Sequence, residues 1–277
     1  MGMRVTTNIA AINAQRNLVG SQRVMNKSMA QLASGSRINI AADDAAGLAI
    51  SESLKAQVRS AAQAQRNAND GISMVQTAEG GLSEISNIVT RLRELGIQAA
   101  SDTVGDRERS FLDKEVQQLK EEIQRIASVT TWGTTKLLDG SSPDFDFQIG
   151  VFNNEIEDRI QFKASENLAT LDHLGLAGLD YASKEGAQTA LELLDEAQNS
   201  VNGTRANLGA LQNRLTSTVD NLGVAQENLS AANSRIRDTD VALASSEMVR
   251  NNILLQAGTS TLAQANSSNQ LALKLIG

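Results

Sequence analysis

Six apolar side chains fall at a strict interval of seven residues: Val201, Leu208, Leu215, Leu222, Leu229 and Ile236. Seven residues are close to two turns of an α-helix, so the run lays one apolar stripe along one face, and partner helices must cover it. A second run, Leu54, Ala61, Ala68, Val75, Leu82 and Val89, keeps the same interval, and Val58, Ile72, Ile85, Leu92 and Ala99 fill its intermediate positions. A third, Leu112, Val116, Leu119, Ile123 and Ile126, steps by four and three in alternation. Three such stripes predict an antiparallel bundle. Pro143 is the single proline, so little else breaks a long helix. Aromatic residues make up only 3% of the chain, so the core has to come from Ala, Leu, Ile and Val, which suits closely spaced helices. The expected fold is mainly α, an elongated antiparallel helical bundle or coiled coil with a small β-hairpin region inserted and the N- and C-terminal helices paired.

The period changes in "PDFDFQIGVF", where Phe145, Phe147, Ile149 and Val151 alternate as in a strand. "NNE" reads as a turn, and "DRIQFKA" returns with Ile160, Phe162 and Ala164. Four of the five phenylalanines lie here, which predicts a packed β-rich knob within 131–185.

Both ends carry stripes of their own, each set off by a break. Leu18, Met25 and Leu32 run to "SGSR", where Gly35 can end a helix. At the other end Ile236 gives way to "RDTD", where Asp238 or Thr239 can cap a new helix. Beyond it Val241, Met248, Leu255 and Leu262 again fall every seven, lapse at Asn269 and resume at Ile276. If the two halves run antiparallel, the breaks meet in space and the terminal helices pair beyond them. Such a pair has too little core to stand alone in water, and other copies of the chain are the economical cover.

Little in the chain points to catalysis. His173 is the only histidine, and no phosphate-binding or dinucleotide-binding glycine motif occurs. Asp43 and Asp44 look like a dyad, but neighbouring helical side chains point about 100° apart, so a position at a helix N-terminus explains them better. No cofactor and no metal site is expected; cysteine is absent. A net charge of −7 argues against nucleic acid. Residues 251–273 are uncharged but too rich in Asn, Gln, Ser and Thr for a membrane span, and the first residues have no apolar signal region. The myristoylation-like "MGMRVT" and four N-x-[ST] sequons, at Asn26, Asn202, Asn228 and Asn266, are read as chance matches, the sequons as lying in helical seams.

"SGSRINIAADDAAGLAISESLKAQ" resembles the N-terminal signature of bacterial flagellins. The likeness runs on through "NANDGISMVQTAEGGLSEISNIVTRLRELGIQAAS" and returns in "AANSRIRDTDVALASSEMVRNNILLQAGTSTLAQAN". The resemblance implies a structural, non-enzymatic subunit that polymerises into the flagellar filament for motility. It also implies export through the flagellar type III channel, assembly under a filament cap, and an extracellular location. Implied partners are further copies of the chain, the export apparatus, a C-terminal export chaperone on the stripe Val241 to Leu262, and the cap and junction proteins.

The family's inner coiled-coil tube corresponds here to 1–42 with 237–277, and its rod-like helical domain to 43–236. Many flagellins carry large outer domains in the middle; here only about 55 residues, 131–185, interrupt the helices, which implies a short form. Self-assembly is assigned to Ile9, Ile12, Leu18, Met25, Leu32, Val241, Met248, Leu255, Leu262 and Ile276. Packing at the breaks and between subunits falls to Arg37, Asp43, Asp44 and Gly47, with Ala41, Ala42, Ala45 and Ala46 allowing close approach. "TRLREL" resembles the site recognised by Toll-like receptor 5, which places Arg91, Leu95 and Glu115 as receptor contacts. The alternatives are a hook–filament junction protein, which shares similar terminal helices, and a helical scaffold that does not polymerise.

Overall fold

The computed structural model describes residues 7–276, with side chains through residue 267. Among them five helices carry the fold: α1 (Ile9–Ser34), α2 (Ala45–Ala99), α3 (Asp106–Val129), α4 (Lys184–Arg237) and α5 (Val241–Ile276). Two small antiparallel ribbons lie between α3 and α4: β1 (Thr131–Trp132) with β2 (Thr135–Lys136), and β3 (Phe145–Gln148) with β4 (Arg159–Phe162). The chain divides into two compact units, Met1–Ala56 with Asn228–Gly277, and Gln57–Glu227.

The second unit has a continuous core. On α2 the stripe Ala61, Ala68, Val75, Leu82 and Val89 is fully buried, as are Ile85, Leu92 and Ala99 between its steps. On α4 Val201, Leu208 and Leu215 are buried, and on α3 Val116 and Ile123. Polar contacts on the rim fix the antiparallel sense of α2 and α4: Arg93 meets Asp195 at 2.8 Å, Gln198 donates to Ser86 at 2.8 Å, and Arg205 reaches Glu79 at 3.6 Å. Positions rise along one helix as they fall along the other. Exposed pairs of this kind contribute about 0–1 kcal/mol each; the register is held by the apolar core.

α2 turns into α3 through a short loop closed by Arg109. The residue is 7% exposed, and its guanidinium donates to the carbonyls of Ala99 (2.8 Å) and Ser101 (3.0 Å) and to Asp106 (2.8 Å). The Ala99 carbonyl belongs to the end of α2, where carbonyls lack helical partners, and that of Ser101 to the loop, where it also accepts from the Val104 amide at 3.3 Å. Tyr181, fully buried, donates its hydroxyl to the carbonyl of Leu92 at 2.9 Å, and burial pushes its phenol up to about 12.

The hairpin forms in the expected place but is shorter than its alternation suggested. Phe145 pairs with Phe162 and Gln148 with Arg159, and the strands end there. The turn is not "NNE" alone. It spans Ile149 to Asp158, because the Asp158 carbonyl accepts from both Ile149 (2.8 Å) and Gly150 (3.0 Å), and its carboxylate accepts from the Asn154 amide at 2.9 Å. The knob is only partly packed: Phe162 is buried, whereas Phe152 is 72% exposed. The ring of Phe147 lies over Gly71 of α2, seating the hairpin on that helix. The β1–β2 ribbon was not anticipated; Gly133 at φ 60° makes its turn, and the "WG" pair was its only signal.

The sequons are not in seams. Asn26, Asn202, Asn228 and Asn266 all lie exposed on their helices. No helix among the described residues is long and apolar enough to cross a membrane.

Candidate assembly surface

In the first unit α1 and α5 pack antiparallel. Asn8 Nδ2 donates to the Ala265 carbonyl at 2.9 Å near one end, and a bridge joins Ser36 to Asp238 at the other. Local chemistry sets the helix ends. Asn8 Oδ1 accepts from the Ala11 amide at 3.1 Å to start α1, and Gly35 closes it at φ 69°, a left-handed conformation that glycine adopts without penalty. Asp240, one residue beyond the two caps expected, starts α5 by accepting from Ala242 (2.9 Å) and Leu243 (3.1 Å).

The heptad stripes line the seam of this pair. Leu18, Met25 and Leu32 on α1 and Met248, Leu255 and Leu262 on α5 are all half-buried. Leu18 sits against Gly258 so closely that a Cβ there would lie 2.8 Å from Leu18 Cδ2. Ile9 (57%), Ile12 (48%) and Val241 (60%) are exposed, and Ile276 lies outside the residues whose side chains are described. Val19, Val24 and Met29 on α1 and Leu243, Val249, Ile253 and Leu254 on α5 are also exposed. Heptad counting missed these because they fall off the seven-residue interval; a second set of apolar positions in so thin a pair was the available signal. Apolar residues thus lie on both the inner and the outer faces of this helix pair. From Asn251 through Ser267 the α5 sequence is also uncharged.

The two breaks do meet. The Arg37 amide donates to the Arg237 carbonyl at 2.6 Å, the Thr239 amide to the Gly35 carbonyl at 2.9 Å, and the Arg37 guanidinium to the Ile236 carbonyl at 2.6 Å. Arg37 thus places a cation at the carbonyl end of α4, where the helix dipole favours it. Asp43 ties the α1–α2 turn: Lys27 lies 2.9 Å away, and the amides of Asn39 (3.2 Å) and Ile40 (3.3 Å) point at the same carboxylate. The hydrogen bond from Lys27, then that from Asn39, hold the Asp43 carboxyl below its ordinary range. Asp44 caps α2 by accepting from the Gly47 amide at 2.8 Å. Gly47 is buried, and a Cβ on it would overlap Asp44 and Ile38. Ala41, Ala42, Ala45 and Ala46 are exposed. Arg237 additionally bonds Glu52. Both aspartates are engaged in holding backbone.

The remaining group sits in the second unit. Arg91 spans exposed partners, Glu94 at 2.9 Å and Glu115 at 3.0 Å, which raise the pKa of its guanidinium. Leu95, at 2% exposure, is in the core and offers no side-chain surface. His173 is exposed, and its amide meets Thr170.

Comparison with known proteins bears on the whole length of the chain. Residues 5–143 match the bacterial flagellin N-terminal helical region, and residues 191–276 the bacterial flagellin C-terminal helical region. The chain is 44% identical over 274 residues to a flagellin of Halalkalibacterium halodurans, covering 99% of this chain and 100% of that one. It is 41% identical over 287 residues to the flagellar filament core protein flaB2 of Brachyspira hyodysenteriae, again covering 99% and 100%. The crystal structure of Bacillus cereus flagellin superposes with a TM-score of 0.51 at 32% identity, over 57% of this chain and 88% of that one. With both terminal regions matched and relatives covered end to end, the chain belongs to the bacterial flagellin family, whose members are structural subunits of the flagellar filament.

Proposed function

We propose that the chain polymerises through the outer faces of its paired terminal helices. One observation carries the reading: ten large apolar side chains of α1 and α5, Ile9 to Met29 and Val241 to Leu254, are 42–61% exposed on a pair whose inner faces are already spent on each other. A head-to-tail contact repeated by every copy gives an open helical polymer. The functional division is 1–42 with 237–277 as the inner tube and 43–236 as the rod, split at the two bonded turns; contact density puts the division further into α2 and α4, at Ala56 and Asn228. Arg37, Asp43, Asp44 and Gly47 shape those turns. Leu18, Met25, Leu32, Met248, Leu255 and Leu262 act one step back, by holding α1 and α5 in register for Ile9, Ile12, Val241 and the rest to present.

The finer reading follows from kinship. The subunit is exported through the flagellar type III channel, held by a chaperone on α5 beforehand, and added beneath a cap outside the cell. Its monomer engages Toll-like receptor 5 through the exposed Arg91–Glu115 pair, with Leu95 supporting α2 from inside. Direct binding of monomer to the receptor ectodomain, lost in Arg91→Ala, checks that last point; no binding by the unaltered monomer removes it and leaves polymerisation untouched.

The decisive experiment substitutes the outer face alone. Val249→Asp with Ile253→Asp leaves the monomer's helicity and unfolding midpoint unchanged and abolishes elongation on filament seeds, measured by sedimentation. Normal elongation by that variant refutes the assigned surface. Limited proteolysis of the unaltered chain gives the complement: terminal segments trimmed near residues 35 and 238 in monomer and protected in filament. Ends protected in a monomer that does not assemble favour the scaffold reading.

A further inference from the structure

The β3–β4 ribbon has one covered edge and one open one. On the β3 side Asn67 of α2 donates to the Gln148 carbonyl at 2.9 Å. On the β4 side a groove separates the strand from α4. It widens into two hollows of about 440 Å³ and 270 Å³ that share Arg214 as a wall. The Ile149 amide bonds the Asp158 carbonyl at 2.8 Å just beyond the ladder. Alternation along an antiparallel pair then turns the main-chain N–H and C=O of Arg159 and Gln161 away from β3, into the groove. No other main-chain group meets them among the described residues.

The charges along this edge are unlike the chain's net −7. Arg159 donates only to the neutral oxygens of Gln148 (3.3 Å) and Asn153 (2.8 Å), and Arg214 has no carboxylate partner among the described residues. Lys163, further along, is already matched by Glu166 at 2.7 Å. Glu157 is the opposing charge at the Ile156 end. Two guanidiniums without carboxylates therefore flank a row of unpaired strand donors and acceptors. Unpaired strand edges are sites where another chain can add a strand, and natural proteins usually block them.

We propose that the open edge of β4 binds an extended acidic segment of another protein as an added strand, its main chain bonding Arg159 and Gln161 and its carboxylates meeting Arg159 and Arg214. The assignment is independent of the polymerising face, which lies on other helices. Strand addition supplies the main-chain hydrogen bonds, and the two arginines select the segment's charge.

The test uses full-length monomer and a fluorescein-labelled peptide alternating Glu and Thr, followed by anisotropy. Saturable binding is expected, weakened about tenfold or more by Arg159→Gln with Arg214→Gln, which removes two close charge pairs. Arg66→Gln, a cation off the groove, leaves it unchanged. The same peptide N-methylated at alternate amides keeps its charge but cannot form the ladder, and its binding is lost. Equal binding of the methylated peptide overturns strand addition, and equal binding of a Lys-Thr peptide overturns the assignment to an acidic segment. Insensitivity to both arginines overturns that assignment too. Self-association of the monomer that the double variant abolishes would make the occupant a second copy and overturn the assignment to another protein. Circular dichroism of each variant separates loss of the edge from loss of the fold.

Discussion

Gly71→Ala has an effect whose sign depends on a ring on the other side of the interface. A Cβ on Gly71 would lie 3.2 Å from Cδ2 and Cγ of Phe147 and 3.3 Å from Cδ1, tighter than ordinary contact. Two terms oppose each other. Alanine in the interior of α2 gains about 1 kcal/mol in helix propensity over glycine. Pressing a methyl into the ring costs about 1–3 kcal/mol, as overpacking does. In the natural chain the substitution is therefore neutral to destabilising by about 2 kcal/mol. Phe147→Ala, at a half-buried site, costs about 2–3 kcal/mol by itself, below the range for a fully buried ring. In that background only the propensity gain is left, and Gly71→Ala stabilises by about 1 kcal/mol. The coupling energy is then the overpacking cost, about 1–3 kcal/mol. Urea unfolding followed by Trp132 fluorescence measures all four proteins, because the single tryptophan lies in the same unit as both sites. If Gly71→Ala shifts stability equally in the two backgrounds, the ring is not seated on Gly71 and the docking of the hairpin on α2 is wrong.

Arg109→Met strips the helix-end carbonyl of Ala99 and the loop carbonyl of Ser101 of their charged donor and should cost about 3 kcal/mol, since bonds to charged groups contribute about 1.5–3 kcal/mol each; amide exchange speeding up first near Ser101 locates the loss. Tyr181 titrates above its unfolded value, so its contribution is complete below pH 10 and is lost as pH rises toward 12. Stability there should fall by about 1.4 kcal/mol per pH unit. Tyr181→Phe flattens that slope, and an unfolding midpoint equally alkali-sensitive in the variant contradicts the assignment. Asp43 has the opposite sign: its pKa is lowered, chiefly by Lys27, so what it contributes is present above the ordinary value of 3.8 and fades as pH falls below it. Exchange at the amides of Asn39 and Ile40 should accelerate over that acid range in the natural chain, and be fast at neutral pH already in Asp43→Ala.

The long periods were legible because burial in a helical bundle repeats. Val75, Leu82 and Val89, or Val201, Leu208 and Leu215, can be counted off a sequence, and all are buried. Turn chemistry was legible at Gly35, where a helix end needs a left-handed residue. Finer placement was not. Leu95 and Arg91 are four residues apart on one helix, yet one is core and the other surface, because the edge of the buried face that holds Leu92 and Ala99 runs between them. The cap of α5 fell one residue past the two candidates read from "RDTD": Asp238 accepts from Ser234, the Thr239 amide bonds the Gly35 carbonyl, and Asp240 accepts from Ala242 and Leu243. The outward residues of α1 and α5 were hidden for a related reason: a heptad search reports the face spent inside the subunit, and the face left for others obeys no interval within one chain. The basic edge of β4 depends on α4 bringing Arg214 alongside Arg159, a meeting no local pattern announces.

The pairing of α1 with α5 also sets an order of events in time. The hydrogen bond from Asn8 to Ala265 closes a loop of 257 residues, at an entropic cost of roughly 5 kcal/mol if nothing between has yet ordered. Every contact inside the second unit spans less chain, so that unit is the cheaper nucleus. α1 has 26 residues, with no acidic side chain in its first turn and no basic one in its last, so the helix dipole adds nothing and most of its stability comes from packing on a neighbour. Whichever end emerges first must wait for the other. The paired outer faces of α1 and α5 are therefore the last part of the molecule to form, and a chain that lacks either helix does not form them.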